Sequence, residues 1–223
     1  MTTRTALITG ASRGIGKAIR EAFEAGGIAV LAPSRTEMEL TDARSIAAYL
    51  EGLADRQVDI LVNNAGIAPL GGVAELTDED IRSTLAINLE APLKLMRFLV
   101  PRMADRGWGR VVNISTIWSE VSKSRRIIYG SSKAGLSTAT RAIAVEVGKQ
   151  GVLVNAVAPG YTDTGLTRKN NPPEVIAAIE STIPQGRLAQ PEEIAELVLF
   201  LCSDRNTYIT GQNICIDGGY TCL

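Results

Sequence analysis

The chain has 223 residues, 45% of them hydrophobic and 21% charged, with a formal net charge of −1 and no histidine. That length suffices for one well-buried α/β domain spanning 1–223, and the near-neutral charge, without a long Lys/Arg tract, gives no attraction to nucleic acid or an anionic membrane. Cys202, Cys215 and Cys222 are odd in number, lack C-x-x-C spacing and have no histidine beside them, so neither a disulfide framework nor a metal site is expected.

The apolar run Ala6-Leu7-Ile8 starts within a few residues of Met1, which leaves no room for a signal peptide, and no later run approaches a membrane span. A cytoplasmic location is expected. The run leads into Thr9-Gly10-Ala11-Ser12-Arg13-Gly14-Ile15-Gly16 and then the amphipathic stretch Lys17 to Ala25, the order strand, glycine turn, helix. Gly10 permits the tight turn, Gly14 lets the backbone approach a phosphate, and Gly16 allows close packing of the helix. The exposed amides at the helix start then suit a pyrophosphate.

Further strand-like runs at Ala29–Ala32, Ile60–Asn63, Val111–Ser115, Leu153–Ala158 and Asn213–Ile216 alternate with longer helical patterns. That alternation predicts a doubly wound Rossmann fold with a mostly parallel sheet, whose ligands lie at the carboxyl ends of the strands. At the end of the second strand stand Ser34 and Arg35, with Arg13 in the glycine loop. Two guanidiniums and a hydroxyl suit the 2′-phosphate of NADP(H) better than the free ribose hydroxyls of NAD. The breaker-rich stretch 160–186 is read as a flap over the substrate.

The chemistry is expected at Tyr129-Gly-Ser-Ser-Lys133, one helical turn that sets a phenol beside an ammonium. Without imidazole, proton transfer near neutral pH falls to a perturbed group, and a cation four residues along the same face favours the phenolate. Earlier in the chain, Pro92 follows Asn88 by four positions and cannot donate the helical hydrogen bond to its carbonyl, leaving that oxygen for water or simply bending the helix.

Together with Asn63-Asn64-Ala65-Gly66, Asn113-Ile114-Ser115-Thr116, Ala158-Pro159-Gly160, Pro191-Glu192-Glu193 and Asp217-Gly218-Gly219, these segments make nearly the whole chain resemble a short-chain dehydrogenase/reductase. The pattern is most similar to 3-oxoacyl-thioester reductases, including the carrier-protein type, and small-ketone reductases. The resemblance implies an NADP(H)-dependent oxidoreductase acting on a carbonyl or secondary alcohol, with Asn88, Thr116, Tyr129 and Lys133 catalytic. Thr116 stands where the family usually has serine, and Ser115 is the less favoured participant. It also implies coenzyme contacts from Gly10, Ser12, Arg13, Gly14, Ile15, Gly16, Ser34, Arg35, Leu40, Asn64, Ala65, Gly66, Tyr129, Lys133, Pro159, Gly160, Thr162 and Thr164. Assembly as a homotetramer or homodimer through the helices around Asn88 and from Tyr129 to Val147 is implied as well. An NAD-dependent alcohol dehydrogenase and a noncatalytic NADP-binding regulatory or assembly protein are the alternatives.

One segment departs from the family. Members usually carry a full helix between the second and third strands, whereas Ser34-Arg35-Thr36-Glu37-Met38 runs almost directly into Glu39-Leu40-Thr41-Asp42. A parallel crossover needs a dozen or more residues. The helix is therefore expected to be missing or shortened and the third strand short, displaced or absent, leaving a sheet face for local side chains or a partner to cover. Glu39 replaces the usual aspartate beside the adenine. For the substrate, Lys123, Arg125, Arg126, Arg168 and Lys169 are either an ordinary solvated surface or a ring of charge that recruits an anionic or carrier-bound compound, and Trp118 is either a pocket wall or a core or interface residue.

Overall fold

Aliphatic runs at regular intervals become the strands β1 (Thr5–Ile8), β2 (Ala29–Leu31), β3 (Ile60–Asn63), β4 (Gly109–Ile114), β5 (Val152–Pro159) and β6 (Asn213–Ile216) in a computed structural model that describes residues 4–223. They form one sheet, entirely parallel, in the order β2-β1-β3-β4-β5-β6. Every residue of β3 and β4 is buried, as expected where helices cover both faces. The order reverses between β1 and β3, and the crevice at their carboxyl ends is where ligands of such sheets lie.

The period-two alternation of the strands divides the core. Ala6, Ile8, Ile60, Val62 and Val112 face α1 (Gly14–Ala25) and α8 (Pro191–Cys202). Leu7, Leu61, Val111 and Val154 face α2 (Ala43–Glu51), α4 (Ala91–Asp105) and α5 (Ile127–Val147). A polar ladder crosses the second layer: Asn63 Nδ2 donates to Asn113 Oδ1 at 2.7 Å, and Asn113 Nδ2 donates to Thr140 Oγ1 on α5 at 2.8 Å. Asn63 and Asn113 are register partners, so a one-residue slip of β3 against β4 would leave these buried amides unpaired.

Between α3 (Asp78–Leu85) and α4 the helix widens into a π turn, Ala86–Glu90, with the Ala91 amide reaching back five residues to the Ala86 carbonyl. Pro92 lies just beyond it. The missing donor predicted at Pro92 is thus accommodated by a change of ladder as well as a break in it.

The crossover from β2 to β3 is made by α2 alone, a nine-residue helix. No strand forms at Glu39–Thr41, so β2 is the sheet edge. Local side chains cover the exposed face. Residues 34–38 turn back on themselves, with the Glu37 and Met38 amides donating to the Ser34 carbonyl. Met38 drops into the second core layer with 4% of its surface exposed, joining Leu7, Ile46, Leu50 and Leu61, with Leu31 and Leu40 packed beside it. Segment 160–186 is also more ordered than a plain loop. It carries α6 (Gly165–Asn170) and α7 (Pro173–Glu180), and Ile179, Ile183 and Leu188 bury a small cluster against Tyr161 and Tyr220. No helix among the described residues is long and apolar enough to cross a membrane.

If Met38 substitutes for the missing layer, Met38→Ala lowers unfolding free energy by about 2–5 kcal/mol while Met38→Leu costs less than about 1.5 kcal/mol. Urea unfolding of both variants at unchanged slope checks this; a Met38→Ala loss below about 1 kcal/mol would show that the residue is not a core plug.

Candidate active site

The glycine loop between β1 and α1 is held by two polar residues. Thr9 Oγ1 accepts the amides of Asn64 (3.1 Å) and Ala65 (3.0 Å), and Asn64 Nδ2 donates to the carbonyls of Thr9 (2.9 Å) and Gly10 (3.0 Å). The Asn63-Asn64 pair therefore divides its work: the first amide spans the sheet and the second fastens the loop. Gly10 and Gly14 have φ of +66° and +54°. At Gly16 a Cβ would stand 2.3 Å from both the Gly10 carbonyl oxygen and Asn64 Nδ2. The glycine is needed for this knot of backbone and amide rather than for contact with the sheet. Helix α1 has no side-chain cap and no acidic residue in its first turn, so its leading amides and dipole face the cavity without a competing carboxylate.

At the end of β2, both predicted phosphate-binding side chains are engaged internally. Ser34 donates its amide and hydroxyl to the Glu37 carboxylate, each at 2.7 Å, and Arg35 Nε donates to Glu39 at 2.5 Å. Hydrogen bonds from the Thr41 amide and from Arg35 hold the Glu39 carboxyl at about 2, so it stays ionised. The Arg35 side chain is 83% exposed, which keeps this pair weak and exchangeable.

The chemical residues gather where β4 ends. Lys133, 3% exposed, donates from Nζ to the Ile114 carbonyl at 2.6 Å. Its ammonium thus caps the last carbonyl of β4 instead of lying directly against the phenol. Burial lowers its pKa from 10.5 to about 8. Tyr129 also moves the other way from the expectation. Burial of its hydroxyl raises the pKa above the usual tyrosine value, while the Thr116 hydroxyl and the Arg126 charge oppose that rise. Spacing along the helix brings a cation near the phenol, but desolvation of the phenolate outweighs the charges around it.

Thr116 is buried and follows β4 directly, and its Oγ1 accepts only a long bond from the Trp118 amide at 3.4 Å. Its hydroxyl also lies within hydrogen-bond reach of the Tyr129 phenol, so the two hydroxyls meet at one point of the cavity. Ser115 is committed elsewhere, paired with Ser137 Oγ at 2.9 Å and donating to Ser119 Oγ at 3.1 Å. Asn88 is fully buried in the π turn. It exchanges hydrogen bonds with the Ile67 backbone, both at 2.9 Å, and donates to Ser132 Oγ at 3.1 Å. Its side chain therefore fixes the strand-end segment after Gly66 and the start of α5 relative to each other.

One cavity of about 480 Å³ joins the glycine loop to this cluster. Gly10, Arg13, Gly14, Ile15, Gly16, Arg35, Leu40, Asn64, Ala65, Gly66, Thr116, Tyr129, Lys133, Pro159, Gly160, Thr162 and Thr164 all line it. Ser12, Ser34 and Asn88 do not. Ser34 stands just behind Arg35, and Asn88 lies beneath the Gly66–Ile67 backbone, where its Oδ1 would be 3.3 Å from a Cβ on Gly66. The lining also includes Met38, Ile67, Tyr161 and Leu166, which sequence reasoning missed. For Tyr161 a signal was available in its place directly after Ala158-Pro159-Gly160. Trp118 does form a wall, in mutual edge-to-face contact with Tyr161 and Tyr220, each pair of ring centres 5.8 Å apart.

A family model described as enoyl-(acyl carrier protein) reductase, one of the short-chain dehydrogenase/reductase models, matches residues 34–221. The chain belongs to the short-chain dehydrogenase/reductase family. Curated relatives include the 3-oxoacyl-[acyl-carrier-protein] reductase of Vibrio cholerae, 34% identical over 97% of this chain and 96% of the relative. The acetoacetyl-CoA reductase of Rhizobium meliloti is 37% identical over 97% of this chain and 98% of its own. Among solved structures, a putative NAD(P)-dependent gluconate 5-dehydrogenase from Beutenbergia cavernae with bound NADP superimposes with a TM-score of 0.94 at 34% identity, covering 100% of this chain and 98% of that one. This member of the family reaches that similarity without a strand at Glu39–Thr41.

In the coenzyme-free protein, Lys133 is charged below pH about 8 and neutral above it. The unfolded chain keeps this proton to about 10.5, so between those values it binds more protons than the folded one and this residue's contribution to stability rises with pH. A ¹³C NMR titration of lysine side chains should show one resonance, absent in Lys133→Met, moving near pH 8 while surface lysines titrate near 10.5. No midpoint below 10 would contradict the burial argument.

Proposed function

We propose that the protein is an NADP(H)-dependent oxidoreductase that interconverts a carbonyl and a secondary alcohol, with a small ketone or 3-oxoacyl thioester as the oxidised partner. The observation that carries this reading is the convergence of Thr116, Tyr129 and Lys133 in the same cavity as the uncapped start of α1. The residues present fit a dinucleotide. Four features support this: the free leading amides of α1, Gly66 facing Lys133, Arg13 without a bonded partner among the described residues, and Arg35 in a loose surface pair.

Bound, the coenzyme supplies or accepts the hydride. The Thr116 hydroxyl donates to the carbonyl oxygen and Tyr129 delivers a proton to it as charge develops, work for a half-buried phenol that stays protonated at neutral pH. Lys133 would hold the coenzyme ribose, and an ammonium proton now shared with the Ile114 carbonyl would pass to Tyr129 to restore the phenol and be replaced from solvent. Asn88 acts one layer out, holding Ile67 and Ser132 so that the cavity floor and α5 keep their spacing. The helical segment 160–186 closes over the substrate, contributing Tyr161 and Leu166. Subunits pair as dimers or tetramers through α4 and α5, where Leu93 and Val145 are 38% and 86% exposed.

The carboxylates at Glu37 and Glu39 favour a second reading, in which NADH is accepted as well. Both hold the very groups that would otherwise meet a 2′-phosphate.

Loss of NADPH absorbance against ketones, 3-oxoacyl thioesters and keto acids tests the main reading. Tyr129→Phe is expected to reduce kcat by about 10²- to 10⁴-fold with coenzyme binding retained. Full activity of that variant, or no turnover by wild type on any carbonyl compound, would refute it. For the coenzyme, Arg35→Ala should weaken NADPH but not NADH. Glu39→Gln should tighten NADPH by about 2- to 5-fold, the worth of an exposed ion pair. Equal use of both coenzymes by all three proteins would instead establish the second reading.

A further inference from the structure

The basic residues near the cavity mouth differ in what already holds them. Arg125 is paired with Glu75 at 2.8 Å, and Arg168 with Asp163 at 2.5 Å. Lys123 donates to the Tyr161 hydroxyl at 2.5 Å and lies over the Tyr161 and Trp118 rings. Arg126 alone of these lines the cavity, and among the described residues its side chain has neither a hydrogen bond nor an ion-pair partner. It is also only partly exposed.

Position adds to this. Arg126 immediately precedes α5 and stands three residues before Tyr129, so the two side chains are neighbours at the helix start. The proximity is real enough for the Arg126 charge to act on the phenol. No carboxylate shares that end of the cavity. The one acidic side chain in the lining, Glu39, sits at the far end and is already bonded to Arg35. Trp118 and Tyr161, packed edge to face, also line the cavity and bring no negative charge.

We propose that Arg126 anchors a carboxylate of the substrate, within a few bonds of the reacting carbonyl, so that the natural substrate is a short oxo-acid or hydroxy-acid. A planar guanidinium presents paired donors matched to a carboxylate, and a carboxylate so placed sets the carbonyl against Thr116 and Tyr129. A carrier-bound or coenzyme A thioester fits less well, because its nearest phosphate lies many bonds from the carbonyl. The inference rests on the carbonyl/alcohol reading of this site and narrows it.

The test compares short oxo-acids with their methyl esters, identical skeletons without the charge, using wild type, Arg126→Gln and Arg126→Lys with saturating coenzyme. Wild type should prefer the acid. Arg126→Gln should lose about 10- to 100-fold in kcat/KM for acids, mainly through KM, the range for a charged hydrogen bond. The esters should lose far less, since the lost charge beside Tyr129 slows acid and ester alike while the lost anchor falls on the acid alone, and lysine should restore part of the acid's loss. Equal use of acid and ester by wild type overturns the proposal. So does an Arg126→Gln variant slowed equally on both, which is the pattern of a purely structural or long-range role. Should wild type reduce no carbonyl compound, the functional reading itself fails, and calorimetry of malonate with the coenzyme-loaded protein still decides the anchor. Binding weakened by at least about 10-fold in Arg126→Gln supports it, and equal or absent binding refutes it.

Discussion

A buried ammonium ion with a single backbone partner organises this molecule. Lys133 would be costly to bury alone, and the Ile114 carbonyl at the end of β4 offsets part of that cost. The bond ties α5 to the point where the strand stops, and the rest of the cluster follows by chain geometry. Tyr129 is one turn earlier on the helix, Thr116 two residues beyond the carbonyl, and Ser132 beside them receives Asn88 from the π turn. In a chain without histidine, the phenol and the amine of this cluster are both perturbed by desolvation. Desolvation pushes their pKa values in opposite directions, one up and one down toward 8.

Most of the fold was legible because parallel strands buried on both faces must be written as short aliphatic runs. All six such runs became strands, and the glycine loop stood at the predicted turn. The site was legible where motif and backbone coincide, as at Gly10, Asn64, Tyr129 and Lys133. What escaped depends on contacts between segments distant in sequence. Met38 reads as an unremarkable residue in a polar stretch, and only the absent layer above Leu7 makes it core. Arg126 cannot be told from Arg125 in the sequence, since what separates them is Glu75, fifty positions away. The pKa of Tyr129 was misjudged for a related reason: spacing along a helix gives proximity to Lys133 but says nothing of the burial that opposes it.

The trimmed crossover and the cavity share residues. The turn at 34–38 that sends Met38 into the core also fastens Ser34 and Arg35 to carboxylates three and four residues on. Covering the sheet and shaping that end of the cavity are thus one structural solution, and Met38 and Leu40 serve both, as core and as cavity wall.

Making β2 the sheet edge has a consequence for association between unrelated molecules. An edge strand offers its outer amides and carbonyls to any extended chain, and long flat edges invite aggregation. Here the edge is three residues long, with the polar turn at 34–38 closing its far end, so an incoming strand would find too few ladder bonds to be held. A border this short, closed by a polar turn, gives a second chain little to pair with on that side of the sheet.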